Sequence, residues 1–244
     1  MKPSFRTLRM RLFKLLNKKQ DNFQRTYSQC GEDRILLSIF NALGISKPSY
    51  IDVGANHPTI LSNTYLFYLN GSKGVNIEPD PELIDSFKEC RPNDVNINIG
   101  IGLAAEDIID FYVMSNRVLN TFSKDEAERI SSYGTCHIES VKKIKVLPLQ
   151  AVVDTYFSSG NGPHFISIDV EGLDYQILKT LDLAKYSETI FCIETINYTE
   201  DNSEKKNEDI FNYFLERGFM VYSDTYINTI FINKNYWNNR RKPG

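Results

Sequence analysis

The residues best able to do chemistry in this chain are acids that close short apolar runs. Asp52 follows Tyr50-Ile51, Glu78 follows Val75-Asn76-Ile77, Asp169 follows Phe165-Ile166-Ser167-Ile168, and Glu194 follows Phe191-Cys192-Ile193. Each run reads as a buried strand with a small or polar turn after it. Singly, such an acid caps the next helix and meets its positive dipole end. Gathered on one sheet edge, the acids would repel one another, so together they point to a cationic or hydroxyl-rich ligand. In open α/β sheets ligands bind at that edge, where strand order reverses.

The turn Asp52-Val53-Gly54-Ala55-Asn56-His57-Pro58 narrows the ligand. A dinucleotide site wants G-x-G-x-x-G, so that backbone amides can approach a pyrophosphate. This turn has one glycine, a preceding acid and a proline that removes a donor. It is poor for a diphosphate, which disfavours a nicotinamide-dependent oxidoreductase or epimerase. It suits a nucleoside whose tail is positive and carries no phosphate, and S-adenosylmethionine has that make-up. Glu78 is then placed for ribose hydroxyls, as an acid about 20 residues past the glycine motif is in dinucleotide folds.

Three residues are candidates for taking a proton from an acceptor: His57, Glu171 and Asp169. His57 has the convenient ordinary pKa; its plain reading is a loop histidine bonded to the backbone. Asp169 with Glu171 or Glu194 could instead hold a hard divalent cation that lowers the pKa of an acceptor hydroxyl. His137 and His164 have no companion ligands and read as structural.

The elements that must position these residues alternate. Strands are expected at 49–53, 74–78, 95–99, 165–169 and 189–194, and helices at 62–69, 81–90, 149–157, 175–183 and 210–217. Ser62 is a candidate N-cap. A strand-helix-strand-helix-strand order implies parallel strands and right-handed crossovers, hence an α/β domain. A terminal strand pair is expected at 219–223 and 229–233. Before the first strand, a helix with Ile35, Leu36, Ile39, Phe40 and Leu43 at helical spacing ends at Gly44, behind the polar cluster Ser28-Gln29-Cys30-Gly31-Glu32-Asp33. Residues 103–147 form an insertion after the third strand, too long for an ordinary connection and so a lid. It holds strands at 108–113 and 138–147, and between them a helix opened by the capping box Ser123 and Glu126. Its aromatics Phe111, Tyr112, Phe122 and Tyr133 either offer stacking faces to a sugar or build the lid's own core. The organisation is therefore a basic segment 1–25, one domain over 26–236, and a tail 237–244 expected to be poorly ordered.

Charge divides the same way. Residues 1–25 carry Lys2, Arg6, Arg9, Arg11, Lys14, Lys18, Lys19 and Arg25 against Asp21 alone, while the whole chain stands at -3, so the body is acidic. That argues against a nucleic-acid partner, which wants a basic stripe. Residues 3–19 place Phe5, Leu8, Leu12, Leu15 and Leu16 at helical spacing. They read as an in-plane helix on an anionic membrane surface, or as a helix packed on the domain or a second subunit. No apolar run approaches a membrane span of about 18 residues. The four cysteines show no C-x-x-C spacing, against a zinc ribbon and consistent with a reducing, cytoplasmic compartment.

Four motifs in this order, Ser28-Gln29-Cys30-Gly31-Glu32-Asp33, Ile51-Asp52-Val53-Gly54-Ala55-Asn56, Asn76-Ile77-Glu78-Pro79 and Ile168-Asp169-Val170-Glu171-Gly172, resemble the FkbM-type S-adenosylmethionine-dependent methyltransferases. The resemblance runs from residue 27 to about 233. It implies a Rossmann-like seven-stranded sheet whose last strand is antiparallel, and methylation of a hydroxyl on a sugar of a surface polysaccharide or glycosylated metabolite. Carried onto this sequence, it implies that Asp52, Gly54 and Asn56 line the methionine end of the cofactor and that Glu78 holds the ribose. Asn98-Ile99-Gly100-Ile101 would face the adenine, and Asp169 and Glu171 would lie beneath the sulfonium and acceptor. Gln29, Glu32, Ser62, Asn63 and Thr64 would close the pocket. His57 stands where many members of the family have an acid. The basic N-terminus would fit work at the inner face of a membrane on a lipid-linked glycan.

Overall fold

A computed structural model describes residues 24–103, 108–157, 162–170, 172–196 and 205–240. The basic helix expected at 3–19 and Glu171 lie outside the described residues. Among the described residues, no helix is long and apolar enough to cross a membrane.

A seven-stranded sheet organises the chain. Its strands are β1 (Tyr50–Val53), β2 (Gly74–Ile77), β3 (Val95–Ile97), β7 (Phe165–Ile168), β8 (Ile190–Glu194), β9 (Phe219–Asp224) and β10 (Asn228–Asn233), in the order β3-β2-β1-β7-β8-β10-β9. β1 pairs in parallel with β2 and β7, β2 with β3, and β7 with β8. β10 alone runs antiparallel, between β8 and β9. This is the mixed α/β sheet with an antiparallel last strand that the motifs implied. Every residue of β1, β2, β7 and β8 is buried, as expected of parallel strands covered on both faces. Strand order reverses between β1 and β7, which puts the ligand crevice at their carboxyl ends.

The two faces are covered by different helices. Ile51, Val53, Ile166, Ile168 and Phe191 meet α5 (Leu149–Tyr156), α6 (Asp174–Leu178) and α7 (Glu208–Leu215). Tyr50, Phe165 and Cys192 meet α1 (Glu32–Leu43) through Leu36, Ile39 and Phe40, and α2 (Tyr65–Leu69) through Phe67. The i, i+3, i+4 spacing of the α1 residues makes that face, and each such side chain contributes about 1.5–3 kcal/mol on burial. Because side chains alternate along a strand, Asp52 shares the α1/α2 face with Tyr50.

The insertion is a second, three-stranded sheet. β4 (Gly100–Ile101) pairs with the end of β6 (Ile138–Leu147), and β6 pairs antiparallel with β5 (Ile108–Met114). Between them α4 (Lys124–Ser132) starts at Ser123, whose hydroxyl accepts from the Glu126 amide at 3.2 Å. Met114, Leu119, Ala127, Ile130 and Cys136 form its own small core, with Tyr112 packed against it. Asp80, the N-cap of α3 (Pro81–Cys90), fastens the lid. It is fully buried and accepts from Arg117 Nη1 at 2.6 Å and Lys142 Nζ at 3.1 Å.

Three expectations shift. The helix expected from Ser62 begins at Tyr65, with Thr64 at the N-cap position, and the Ser62 hydroxyl accepts from the Tyr65 amide at 3.1 Å, satisfying a donor at the helix start. α6 ends at Leu178, and the buried Leu181 and Leu183 follow in turns. The tail is not loose at Trp237. This residue lies in α8 (Lys234–Asn238), its ring 5.0 Å from that of Tyr222.

Candidate functional site

The carboxyl ends of β1, β2 and β7 form the floor of a cavity roofed by the insertion. The space is about 910 Å³, its open mouth included. The floor is built by a backbone contact. At Gly54, φ is 72, and a Cβ there would fall 1.8 Å from the Asp169 carbonyl oxygen. Only glycine lets the turns after β1 and β7 approach so closely. The Gly54 and Ala55 amides both donate to the Ile77 carbonyl at 3.0 Å, and the Asn56 amide donates to Glu78 Oε2 at 2.8 Å. Three successive amides are thus engaged within the fold, so this turn does not present the row of free donors that cradles a diphosphate. Asn56 takes the left-handed conformation its side chain tolerates, and its Nδ2 donates to the Arg117 carbonyl at 3.1 Å, joining floor to roof.

The acids at the strand ends have separate environments. Glu78 is buried and accepts from the Asn56 and Asp80 amides at 2.8 Å each; burial pushes its carboxyl up to about 7. Asp52 accepts from the Thr64 hydroxyl at 2.6 Å. Burial raises its pKa, opposed by the Arg91 charge and by hydrogen bonds from Thr64 and Ser167. Asp169 is held by its amide, which donates to the Val53 carbonyl at 3.1 Å. Burial raises its carboxyl above the usual range, against a hydrogen bond with Glu194. Asp174 accepts from the Val170 amide at 3.3 Å and is raised likewise by burial and by Asp169.

Gln29, Asp52, Gly54, Asn56, Ser62, Asn63, Glu78, Gly100, Ile101 and Asp169 all line the cavity. Five other candidates sit elsewhere; the first, Asn98, turns its Nδ2 to the Glu78 and Pro79 carbonyls, both at 2.9 Å. Glu32 is fully buried beside the β9–β10 hairpin, accepting from the Thr225 hydroxyl at 2.6 Å and the Cys30 amide at 2.8 Å. Thr64 is fully buried behind Asp52. Glu194 stands behind Asp169 as its hydrogen-bond partner. His57 does not reach the cavity wall: its Nδ1 accepts from the Thr59 and Ile60 amides, both at 3.1 Å. That lone pair is committed to its own loop, and the proton of the neutral ring is then on Nε2, so His57 is a turn-forming residue here and not the base. Among the described residues no three His, Cys, Asp or Glu side chains gather as a metal-binding group, and Glu171 is not among them.

The roof adds residues that motif reading missed. Arg117, Val118, Asn120 and Thr121 reach the cavity from the segment after β5, where no periodicity marks them. Phe111 and Phe122, ring centroids 4.7 Å apart, close over Gly100, where a Cβ would come within 2.3 Å of the Phe122 ring. Tyr112 belongs to the lid's core and the exposed Tyr133 stays outside. The insertion aromatics therefore divide: Phe111 and Phe122 line the cavity, Tyr112 builds the lid's core, and Tyr133 does neither.

These groups fit a nucleoside with a cationic tail. Each Glu78 oxygen has one backbone donor and a lone pair left for a hydroxyl. Ile99, Gly100, Phe111 and Phe122 supply an apolar slot of the kind a base fills, and Asp52 is an anionic end. The Asn63 Nδ2 donates to Ser167 Oγ at 3.0 Å, while its buried Oδ1 has no partner among the described residues, an acceptor a ligand donor would satisfy.

The family model described as "Methyltransferase FkbM domain" matches residues 52–221. Among solved structures, a TehB-like SAM-dependent methyltransferase from Corynebacterium glutamicum is similar at 11% identity and a TM-score of 0.42, over 94% of this chain and 97% of that one. A fibrillarin/Nop5p complex is similar at 11% identity and a TM-score of 0.38, over 88% of each chain. Likeness at that level carries no statement about chemistry. No curated protein matches the chain.

Proposed function

The chain belongs to the FkbM methyltransferase family and is an S-adenosylmethionine-dependent methyltransferase; from that premise we propose that it methylates a hydroxyl of a sugar, in a surface glycan or a glycosylated metabolite. The observation that carries the choice of an oxygen nucleophile is Asp169. It lines the cavity, is hydrogen-bonded to Glu194, and burial lifts its pKa toward the range of a working general base. A sugar is favoured by the amide side chains of Gln29 and Asn63 on the cavity wall, a side-chain type that can both donate and accept as vicinal hydroxyls require.

S-adenosylmethionine would be held by Glu78, Asp52 and the Phe111–Phe122 slot, and would supply an electrophilic methyl on a sulfonium. Asp169 would take the proton of the acceptor hydroxyl. The roof keeps water from competing, and Asp80 holds it down through Arg117 and Lys142. A nicotinamide enzyme would need the turn amides that Ile77 and Glu78 already engage.

A radiolabelled methyl-transfer screen over nucleotide sugars and glycans tests this, with Asp169→Asn and Glu171→Gln as controls. Transfer to a sugar hydroxyl that Asp169→Asn abolishes is expected. Transfer only to phenols, amines or carboxylates, or transfer indifferent to Asp169, would overturn it. We further place the reaction at the inner face of a membrane, reached through the basic segment 3–19. Equal flotation of the full chain and a chain starting at residue 26 with anionic liposomes would contradict that placement.

A further inference from the structure

Among the described residues, Arg91 is the largest fully buried side chain. Its guanidinium spends every arm on named groups. Nε donates to Asp94 Oδ2 at 2.9 Å, Nη2 to the Tyr50 hydroxyl at 2.7 Å, and Nη1 to Thr64 Oγ1 at 2.9 Å. Aromatic rings of Tyr50, Tyr68 and Phe87 stand within 5.6 Å of it. Burying such a cation is a poor route to stability, because an apolar side chain of like size commonly does as well or better. The arrangement asks for another reason, and the direction of the hydrogen bonds supplies one.

A guanidinium only donates. The Thr64 hydroxyl, accepting from Arg91, must therefore send its own proton onward, and it meets Asp52 Oδ2 at 2.6 Å. A second relay has the same sense. Asn63 Nδ2 donates to Ser167 Oγ at 3.0 Å, and Ser167 in turn bonds Asp52. Two hydroxyl protons thus aim at one carboxylate, hydrogen bonds that favour its ionised form against the burial that raises its pKa. Asp94, the direct ion partner of Arg91, also takes the Tyr50 hydroxyl at 2.8 Å, the Gly74 amide at 2.9 Å and Asn76 Nδ2 at 3.1 Å. It is neutralised within the fold. Asp94 takes the direct ion pair, whereas Arg91 reaches Asp52 through Thr64, and Asp52 is the member that lines the cavity.

We propose that Arg91 is a positioning residue that acts through Thr64 to hold Asp52 ionised and oriented for the ammonium end of the cofactor. The proposal rests on the S-adenosylmethionine reading above. It assigns Thr64 a part in binding that requires no contact with the ligand.

The test is calorimetric titration of the full chain with S-adenosylhomocysteine and with 5'-methylthioadenosine, which keeps the nucleoside but lacks the ammonium. Thr64→Val is near-isosteric and cuts the relay; Thr64→Ala is read beside it, with thermal melts of both, so that one folded variant suffices. Loss of a charge-assisted bond predicts about ten-fold weaker S-adenosylhomocysteine binding, with 5'-methylthioadenosine changed by less than about two-fold and Thr64→Ser restoring the loss. Equal loss for both ligands, no loss for S-adenosylhomocysteine, or failure of Thr64→Ser to restore it would overturn the proposal. Wild-type protein that binds neither ligand would instead overturn the cofactor reading beneath it.

Discussion

Fold and ligand make opposite demands on Glu78, and pH separates them. The side chain is 3% exposed, and burial lifts its carboxyl from 4.5 to about 7 in the folded protein. Folding therefore takes up a proton between those values. The stabilisation from this group is complete below about 4.5 and is lost as pH rises through about 7. At 1.36 kcal/mol per unit, the loss is about 3 kcal/mol. That is a large part of the roughly 5–15 kcal/mol that holds a domain folded. Urea unfolding of ligand-free protein at intervals from pH 4.5 to 8, beside Glu78→Gln, measures it. Asp169 and Asp174 shift in the same direction, but they are present in both proteins, so the difference between the two curves isolates Glu78. Wild type should lose about 3 kcal/mol more than the variant across the window. Parallel curves, or wild-type stability that rises relative to the variant, would refute the placement of a buried, proton-binding acid at the end of β2.

Three further outcomes are expected. Gly54→Ala should cost at least about 2 kcal/mol in urea unfolding, from a left-handed φ together with a backbone collision; Gly172→Ala, at φ 96 with open space around it, should cost only about 1 kcal/mol, and equal costs would remove the close approach as the reason for Gly54. Phe122→Ala should weaken S-adenosylhomocysteine binding by about ten-fold through the lost ring face, read by calorimetry. Arg117→Ala removes one of the two cations that tie the roof to Asp80 and should raise the dissociation rate of S-adenosylhomocysteine in stopped flow more than it lowers the association rate.

Much of the floor was legible because its signals are local. An apolar run closed by an acid and a small-residue turn marks both a buried strand and the residue it delivers, and Asp52, Glu78 and Asp169 all reach the cavity. The single glycine at Gly54 told against a diphosphate, and the engaged amides give the physical counterpart. What stayed hidden depends on contacts across sequence. Tyr50 reads as a strand hydrophobe, yet its hydroxyl bonds Asp94 and Arg91, more than forty residues away. Arg117 and Asn120 face the cavity only because β5 and β6 fold the insertion back over the sheet. The family resemblance implies that Thr64 and Glu32 close the pocket, and the packing puts each of them behind another side chain or element. His57 shows the opposite case. Its partners, Thr59 and Ile60, are close neighbours, but only a defined loop geometry decides between a base and a turn residue.

The central claim is that the cavity between β1, β2, β7 and the insertion binds S-adenosylmethionine through its strand-end acids. Titrating the full chain with S-adenosylhomocysteine and, separately, with NAD tests it most directly. Binding of S-adenosylhomocysteine that both Asp52→Asn and Glu78→Gln weaken, with no heat from NAD, is the predicted result; preference for NAD, or S-adenosylhomocysteine binding indifferent to both substitutions, would contradict it.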